Sequence, residues 1–330
     1  MPAPHTLRRR GGIVLALAAA AALVLSACSS TSDPSASSST SGEAADFGEV
    51  SVQYSWIKNE EFAGEFYAYE NGYYDEAGFS NVVGVAGPDT GVAKLLSGSV
   101  QFALTDAASV GAAVAEQDAP LKIIATTFQK NPFTILSLKD GANIATPQDL
   151  IGKKIGVQDS NASVFKALLA ANGITEDQLT IVPVDFDPTP LMNGDVDGFM
   201  AYLTNEAITV EMAGYEVTNL AYAENGLPYV AESYAVTDDY LANNKDLIKA
   251  FLIAEIKGWT DTFTQPIDDT VALVTKYYNE SASAGDLTFG DLDPDKVAAG
   301  VERAPGEVND KPFRAELLIA VVAAGRELSL

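Results

Sequence analysis

The pattern of hydrophobic and polar positions between residues 48 and 265 predicts short strands that alternate with helices. Short apolar or alternating runs of three to six residues predict strands, and longer runs with helical spacing that end near Gly or Asn predict helices. In the first half these segments are the strands Val50–Ser55, Val82–Val85, Gln101–Leu104, Leu121–Thr126 and Thr134–Leu138, and the helices Phe62–Asn71, Val92–Ser97 and Ala107–Glu116.

A second cycle of the same kind begins near residue 155. Its predicted strands are Ile155–Val157, Thr180–Val184, Gly198–Tyr202 and Glu216–Leu220, and its predicted helices are Ala162–Ala171 and Glu206–Ala213. One more strand-like run starts near Tyr229, and it precedes the predicted helices Lys245–Phe263, Thr270–Tyr278, Pro294–Val301 and Phe313–Ala324. Repeated β-α-β units predict mainly parallel sheets covered by helices, and two cycles predict two α/β lobes around a cleft.

The N-terminal segment has the pattern of a targeting signal. Arg8–Arg10 form a basic start, and the apolar run Ile13–Leu25 has 13 residues, which is too short for a membrane span of about 20. The run ends in Leu25-Ser26-Ala27-Cys28, which resembles the cleavage site of bacterial lipoproteins and implies acylation of Cys28. The alternative is an ordinary secretory signal in which Cys28 is incidental. We predict a signal peptide over residues 1–27.

Residues 28–47 are predicted to form a flexible tether. Ser29–Asp46 reads SSTSDPSASSSTSGEAAD and contains no large apolar residue. Such a segment cannot bury enough surface to offset the entropy lost on ordering. Together with acylated Cys28, the tether predicts a body held on the extracytoplasmic face of the cell membrane by lipid.

Composition and charge exclude several classes of function. The only His is His5 and the only Cys is Cys28, so a chain cleaved before Cys28 has no His for Ser-His-Asp or Cys-His catalysis and no disulfide. The formal net charge is −25, and it becomes −28 on cleavage because Arg8–Arg10 are the only charged residues of the removed segment. So negative a chain is not expected to bind nucleic acid. We predict no metal, no cofactor and no catalytic residue.

Several segments resemble one family in the same order along the chain. They are Trp56–Tyr67 (WIKNEEFAGEFY), Glu70–Phe79 (ENGYYDEAGF), Leu96–Asp106 (LSGSVQFALTD), Thr146–Val157 (TPQDLIGKKIGV) and Pro190–Phe199 (PLMNGDVDGF) with Asn205-Glu206. Together they are similar to ABC-transporter substrate-binding proteins of the thiamine-pyrimidine-precursor and alkanesulfonate type. The similarity extends over roughly residues 48–265, and the sequence after Glu280 departs from the family pattern.

The resemblance implies an α/β, two-lobed fold of the periplasmic-binding-protein type (type II) with the ligand cleft between the lobes. We predict that residues 48–137 and 230–330 form lobe I and that residues 138–229 form lobe II. The resemblance also implies a monomeric receptor that delivers a small molecule to an ABC permease. Two other classes remain as alternatives: a pyrimidine-biosynthesis enzyme of the same fold, which the lack of a mature His disfavours, and a scaffold lipoprotein without a ligand cleft.

Candidate ligand contacts lie in the loops that follow the predicted strands, because ligands of such sheets bind beyond the carboxyl ends of the strands. Each candidate also has an alternative structural role, such as a core aromatic, a solvated helix face or a helix N-cap. The predicted site residues are Trp56, Asn59, Glu61, Tyr67, Asp89, Thr90, Thr105, Asp106, Gln129, Gln158, Ser160, Asn161, Tyr202, Asn205 and Glu206.

The residue types in these loops indicate the class of ligand. The mature chain has only Arg303, Arg314 and Arg326, all in the predicted helical tail, so the loops offer no Arg to clamp a sulfonate, phosphate or carboxylate. Aromatic rings, amides and carboxylates suit a neutral or cationic planar heterocycle better. We therefore rank pyrimidine precursors of thiamine first, thiamine and riboflavin next, and alkanesulfonates, taurine and nitrate last.

Overall fold

A computed structural model of the chain describes residues 45–286 and 291–307. The predicted signal peptide, Cys28 and the helix predicted at Phe313–Ala324 lie outside the described residues. Phe47, the last residue of the predicted tether, lies inside them. It packs against the first hydrophobic core, and its N–H donates to the Gly78 carbonyl at 2.8 Å. The folded body therefore includes Phe47.

Ten strands form two five-stranded sheets within the described residues. The strands are β1 (Gly48–Gln53), β2 (Phe79–Val85), β3 (Phe102–Thr105), β4 (Leu121–Thr126), β5 (Phe133–Leu138), β6 (Lys154–Val157), β7 (Thr180–Pro183), β8 (Gly198–Tyr202), β9 (Val217–Ala221) and β10 (Ser233–Thr237). The first sheet has the order β2-β1-β3-β10-β4, and the second has the order β7-β6-β8-β5-β9. Each sheet is the scaffold of one layered α/β half, as the alternation of predicted elements indicates.

Helices occupy most of the connections between strands. They are α1 (Ala63–Glu70), α2 (Tyr73–Ala77), α3 (Val92–Ser97), α4 (Ala107–Gln117), α5 (Ala162–Ala171), α6 (Thr189–Met192), α7 (Glu206–Met212), α8 (Asp238–Asn243), α9 (Lys245–Thr264), α10 (Ile267–Ala284) and α11 (Pro294–Glu307). Most lie within a few residues of the predicted helices. The exceptions are α2, α6 and α8, which are short and were not predicted, and α10 and α11, which extend beyond their predicted ends.

Four strands of each sheet run in one direction, as the expectation of mainly parallel sheets requires, and one strand runs against its neighbours. In the first sheet β10 is antiparallel to β3 and β4, and in the second β5 is antiparallel to β8 and β9. These are the strands that directly follow the two connections between the sheets, at residues 127–132 and 222–232. A strand that enters a sheet from the neighbouring sheet starts at the shared edge, so it runs opposite to strands that end there.

The first connection between the sheets lies earlier than the predicted boundary at residues 137 and 138. The prediction places β5 at the end of lobe I, whereas the strands that it pairs with, β8 and β9, belong to the second sheet. The strand reads FTILSL, with five of its six residues buried, and no charge or glycine marks the change of sheet. The pattern of buried residues alone therefore could not place this boundary.

Close helix packing holds the first half together. A β-carbon on Gly64 of α1 would lie 2.4 Å from the Trp259 ring of α9, and one on Gly258 would lie 2.0 Å from the Gly64 carbonyl oxygen. Both glycines are thus required where α1 and α9 cross, since no side chain fits between backbones at that distance. This packing positions the Trp56–Phe62 segment, which leads from β1 into α1.

Helix α11 contacts both halves of the body. Val297 belongs to the first hydrophobic core, whereas Arg303 donates to the Leu203 carbonyl at 3.1 Å and forms an ion pair with Glu211 of α7. Ala304 packs with Phe128, which lies in the first connection between the sheets. The helix therefore forms a third link between the halves. Over the described ranges, no helix combines the length and apolarity that crossing a membrane requires.

Candidate functional site: a cavity between the two sheets

The edges of the two sheets that face each other are built from strand ends. In the first sheet Thr105, at the end of β3, pairs with Ser233, at the start of the antiparallel β10. In the second sheet Tyr202, at the end of β8, pairs with Phe133, at the start of the antiparallel β5. Loops and helix starts therefore converge on one opening, as they do at ligand sites of open α/β sheets.

A cavity that is partly open to solvent lies at this opening, and its empty space, including that open part, is about 590 Å³. Eleven of its lining residues are among the predicted site residues: Trp56, Glu61, Asp89, Thr90, Thr105, Asp106, Gln158, Ser160, Asn161, Tyr202 and Glu206. Six further lining residues were not predicted: Ser55, Phe133, Phe186, Met200, Ala201 and Glu232. The chain thus brings most of the predicted residues of both halves together.

Aromatic rings form the walls of the cavity. The Trp56 and Phe186 rings are in contact across the two halves, with centroids 3.7 Å apart. The Phe133 and Tyr202 rings pack edge to face, with centroids 4.6 Å apart and an interplanar angle of 84°. Flat apolar surfaces of this kind bind planar rings by stacking and by excluding water.

Tyr202 and Glu232 link the two halves at the floor of the cavity. The Tyr202 hydroxyl donates to Glu232 Oε1 at 2.9 Å, and Oε2 of the same carboxyl group is buried without a hydrogen-bond partner. Glu232 is 2% exposed, and burial away from water raises its pKa to about 8. At neutral pH the group is therefore largely protonated, and the Ser55 hydroxyl, which opposes the shift of its pKa, lies beside it.

Glu61 and Glu206 add two further buried carboxyl groups to the cavity lining. Burial raises the pKa of both, and for Glu61 the neighbouring Glu232, Glu60 and Glu206 raise it further, while a hydrogen bond from Asn205 opposes the shift. The Tyr202 backbone N–H donates to Glu206 Oε2 at 2.7 Å, which stabilises the charged form of Glu206. Glu61 and Glu206 therefore lie close to other carboxyl groups, and few positively charged side chains are near enough to compensate negative charge at this site.

Asp106 and Asp89 have structural partners as well as cavity positions. Asp106 caps α4, because its Oδ1 accepts from the backbone N–H groups of Ala108 and Ser109 at 2.8 and 2.9 Å. Burial raises the pKa of Asp106, and these bonds oppose the shift. Asp89 accepts from Gly91 N at 2.7 Å and pairs with Lys94 Nζ at 3.2 Å. Both residues thus shape the wall and present oxygen atoms to it.

The second half contributes an amide-rich wall. Gln158 is 2% exposed, and its Nε2 donates to the Met200 carbonyl at 3.0 Å. Its Oε1 accepts from Asn161 Nδ2 at 3.0 Å. Ser160 and Asn161 lie in the turn before α5. The fixed Gln158–Asn161 pair sets the orientation of this wall.

Four predicted site residues do not line the cavity. Tyr67 lies inside the first core, where its hydroxyl is 2.9 Å from Thr270 Oγ1. Asn59 caps the turn at Glu60–Phe62, since its Oδ1 accepts from Glu61 N at 3.2 Å. Gln129 lies in the first connection between the sheets. Asn59 and Asn205 instead line a second depression, the side groove, with Trp56, Ile57, Glu60, Phe186, Asp187, Pro188, Glu206, Thr209, Met212, Ala213, Tyr278, Asp291, Leu292, Asp293 and Lys296.

The most informative residue that was not predicted is Glu232. The prediction covers the loops that follow strands, whereas Glu232 directly precedes β10 and Phe133 is the first residue of β5. Because these two strands are antiparallel to their neighbours, their first residues lie at the edge where the neighbours end. The sequence does contain a signal for this residue, because a Glu directly precedes the buried run Ser233–Val236. A carboxyl group at the end of a buried strand is costly unless it has a partner, so such a residue is a candidate for a functional role.

The lining favours one kind of ligand chemistry. The cavity wall contains the carboxyl groups of Glu61, Asp89, Asp106, Glu206 and Glu232, and none of its lining residues is Lys, Arg or His. Among the described residues no cluster of three or more His, Cys, Asp and Glu is arranged to hold a metal ion. A ring that donates hydrogen bonds would satisfy the carboxyl oxygens, whereas an anion would meet no positive side chain.

Comparison with known proteins finds a matching family and relatives that are named as binding proteins. The model of a family described as NMT1/THI5-like matches residues 59–268. The riboflavin-binding protein RibY of Chloroflexus aurantiacus is 30% identical over 256 residues, which are 73% of this chain and 69% of that protein. The formylaminopyrimidine-binding protein of Halalkalibacterium halodurans is 22% identical over 243 residues, which are 72% of this chain and 73% of that protein.

Among solved structures, the periplasmic aliphatic sulphonate binding protein SsuA from Escherichia coli is similar in fold. The TM-score is 0.56 at 16% sequence identity, over 82% of this chain and 98% of that chain. At this identity the likeness concerns the fold alone. It confirms the predicted α/β fold of the periplasmic-binding-protein type.

Proposed function

Because the chain belongs to the NMT1/THI5-like family, we propose that it is the extracytoplasmic solute-binding receptor of an ABC importer. Its ligand is a small planar nitrogen heterocycle of the thiamine-precursor pyrimidine type, held in the cavity between the two sheets. The receptor delivers this ligand unchanged to a membrane permease. The predicted resemblance to substrate-binding proteins is confirmed by the family match, and the ligand and the site residues are proposals.

The observation that carries the proposal is the lining of the cavity. Aromatic faces from both halves enclose buried carboxyl groups, and no cationic side chain lines the cavity to neutralise them. An aminopyrimidine matches this lining, since its ring stacks on aromatic faces while its N–H groups donate to carboxyl oxygens. A sulfonate or nitrate would lose its hydration without gaining a positive partner, so the lining disfavours both.

Particular residues have distinct roles in this proposal. Trp56 and Tyr202 supply ring faces from opposite halves, and the carboxyl groups of Glu232 and Glu61 exchange hydrogen bonds with the ring nitrogens or the exocyclic amine. Gln158, held by its hydrogen bonds to Met200 and Asn161, forms the part of the lining that the second half contributes beside the ligand. Since these residues come from both halves, the ligand contacts all of them only when the halves are together, so binding favours the closed arrangement.

Riboflavin is the second candidate ligand. The relative with 30% identity is a riboflavin-binding protein, and the isoalloxazine ring is also planar, neutral and able to donate one N–H. Both ring systems offer flat faces to the aromatic walls of the cavity. Titration of both ligands under the same conditions decides between them.

The proposal is tested by isothermal titration calorimetry on the purified full chain in detergent. Formylaminopyrimidine, thiamine, riboflavin, taurine and nitrate are titrated in parallel. We expect saturable binding of at least one heterocycle, and a loss of at least tenfold in affinity for Trp56→Ala. Tyr215→Phe, an exposed aromatic of the second half, serves as the control and binds as the unsubstituted protein does. Binding of taurine or nitrate with no binding of heterocycles would contradict the proposal.

The absence of chemical turnover is tested on the same complexes. Bound ligand is extracted after prolonged incubation and its mass is measured. We expect an unchanged ligand, because the proposed site holds no His or Cys nucleophile. A mass change that depends on the protein would instead favour the pyrimidine-biosynthesis enzyme of the same fold.

Lipid anchoring through Cys28 is a separate part of the proposal, supported by the Leu25-Ser26-Ala27-Cys28 sequence. Metabolic labelling with palmitate is expected to mark the protein, and Cys28→Ser is expected to abolish the label and the membrane association. Ser29→Ala is the matched control and keeps both. Release of the protein without lipid in the unsubstituted chain would support the alternative of an ordinary secretory signal.

A further inference from the structure

Helix α11 is anchored in the first half of the body at its start. Val297 is buried in the first hydrophobic core, and Leu292, just before the helix, packs against the same core. Burying these side chains holds them by the hydrophobic effect, so exposing them to water would be costly. The first turns of α11 therefore stay with the first half when the two halves move relative to each other.

The rest of α11 lies on the turn between β8 and α7, which belongs to the second half. Tyr202 ends β8 and Glu206 begins α7, so this turn joins two residues of the cavity lining. Arg303 Nη1 donates to the Leu203 carbonyl within the turn at 3.1 Å, and the same guanidinium group pairs with Glu211 of α7. One side chain of α11 thus holds both the turn and the helix that follows it.

Gly300 allows α11 to approach both halves closely. A β-carbon on Gly300 would lie 2.9 Å from Glu60 Cγ and 3.0 Å from the Thr204 carbonyl oxygen. Glu60 leads into α1 in the first half, and Thr204 lies in the turn between β8 and α7. The backbone of α11 therefore fills the seam between the halves, and a side chain at this position would force the helix or its neighbours to shift.

The charge of α11 also suits this position. Burial raises the pKa of Glu60 to about 7 and raises that of Glu206 as well, and the positive charge of Lys296 opposes both shifts. Displacement of α11 would take this positive charge away from two buried carboxyl groups, one of which lines the cavity. Charge and packing thus favour the same seat for the helix.

The end of α11 supports the ring of a cavity residue. Ala304 packs against Phe128, and the Tyr202 ring packs against the same pair. The Tyr202 hydroxyl in turn donates to Glu232 Oε1 at 2.9 Å. Movement of α11 would therefore change the position of an aromatic wall of the cavity, although no described residue of α11 lines the cavity itself.

We propose that α11 is a clasp that positions the segment from Tyr202 to Glu206 and favours the closed arrangement of the two halves. Arg303 and Gly300 are its positioning residues, because the first holds the turn and the second permits the close approach. Separation of the halves breaks the contacts of Arg303, since the start of the helix stays with the first half. The proposal rests on the proposed function, and it adds that ligand affinity depends on a helix outside the cavity.

The first test measures binding of formylaminopyrimidine and of riboflavin to the full chain in detergent, by calorimetry and by stopped-flow dissociation. We expect Arg303→Ala to lower the affinity of whichever probe binds by about tenfold, because the closed arrangement is less populated while the cavity keeps its own residues. Most of this loss should appear as faster dissociation. Arg303→Lys keeps a positive charge beside Glu211 and should bind more tightly than Arg303→Ala.

Control variants separate positioning from general loss of stability. Glu302→Gln changes an exposed residue of α11 beside Arg303 and should bind as the unsubstituted protein does. Ile248→Ala leaves a void in the first core, so it should lower the free energy of unfolding and leave affinity unchanged. Gly300→Ala should weaken binding as Arg303→Ala does, whereas Gly111→Ala, which meets no atom within 4 Å, should not. Urea unfolding reports that each variant is folded under the assay conditions.

The second test needs no ligand. Hydrogen exchange followed by mass spectrometry compares the unsubstituted chain with Arg303→Ala. We expect faster exchange in peptides that cover residues 203–212, because the turn and α7 lose their bonds to α11. Peptides that cover α5, in the same half, are the internal control and should exchange at an unchanged rate.

The outcomes distinguish failure of the clasp from failure of the proposed function. Unchanged affinity in Arg303→Ala would overturn the clasp, and so would an equal loss of affinity in Ile248→Ala. Unchanged exchange over residues 203–212 would overturn it as well. Failure of every heterocycle to bind the unsubstituted chain would overturn the proposed function, and the exchange measurement would then decide the clasp by itself.

Discussion

The Tyr202 hydroxyl, at the end of a strand of the second sheet, donates a hydrogen bond to Glu232 Oε1, directly before a strand of the first sheet, at 2.9 Å. The two residues are 30 positions apart in sequence and belong to different halves of the body. Both line the cavity. The bond therefore couples the arrangement of the halves to the site where we place the ligand.

Tyr202→Phe removes this bond and keeps the aromatic face. We expect ligand affinity to fall about fivefold, since one net hydrogen bond contributes about 1 kcal/mol. Calorimetry with the ligand identified in the screen measures the change. Tyr215→Phe is the control in the same half, at an exposed tyrosine. An unchanged dissociation constant for Tyr202→Phe would show that the bond does not contribute to binding.

Stability is expected to fall as pH rises from about 5 to about 8. Burial raises the pKa of Glu232 to about 8 and that of Glu255 to about 7, above the ordinary value of 4.5. Between these values the folded protein binds more protons than the unfolded chain, so the free energy of unfolding decreases with pH. The stabilising contribution of these two groups is therefore complete at a pH below their ordinary pKa of 4.5. It is lost as the pH rises through their raised pKa values.

Urea unfolding at pH 5, 6.5 and 8 measures this dependence. Glu232→Gln carries no titratable group at that position, so its free energy of unfolding should depend less steeply on pH than that of the unsubstituted protein. Asp195→Asn, in the turn before β8, serves as the control. A slope that Glu232→Gln does not alter would mean that Glu232 has an ordinary pKa.

The same substitution should have opposite effects at two helical glycines. Gly258→Ala places a β-carbon 2.0 Å from the Gly64 carbonyl oxygen, so we expect a loss of about 3 kcal/mol or more as α1 and α9 separate. Gly111→Ala, in α4, meets no atom within 4 Å and should stabilise by about 0.5–1 kcal/mol. Denaturant unfolding compares the two. Equal effects would contradict the packing of α1 against α9.

The ion pair of α11 should contribute more than an exposed pair. Arg303 pairs with Glu211 and also donates to the Leu203 carbonyl, with 26% of its side chain exposed. We expect Arg303→Ala to destabilise by about 1–2 kcal/mol. Lys139→Ala breaks the pair with Glu216, in which both side chains are more than half exposed, and should cost less than about 0.5 kcal/mol. Similar costs would argue against α11 as a link between the halves.

Much of the fold was predictable because it depends on local sequence. The strands Leu121–Thr126 and Gly198–Tyr202 and the helices Val92–Ser97 and Ala162–Ala171 have the bounds that were predicted, since apolar spacing and flanking glycine or polar residues determine such elements. The directions of β5 and β10 were not predictable in this way. A strand's direction depends on the sheet it joins, and its own residues do not encode that choice.

The sequence by itself determined the order of the elements, the family and most of the residues around the cavity, because loops after strands converge wherever parallel strands end together. It also shows that the single His and the single Cys, His5 and Cys28, both lie near the N-terminus, before the strands and helices. Only the tertiary structure decided that Glu232 and Phe133 join the cavity and that Tyr67 belongs to the core. The reason is physical: which end of a strand faces the cleft, and which face of a helix is buried, depend on contacts between residues far apart in the chain.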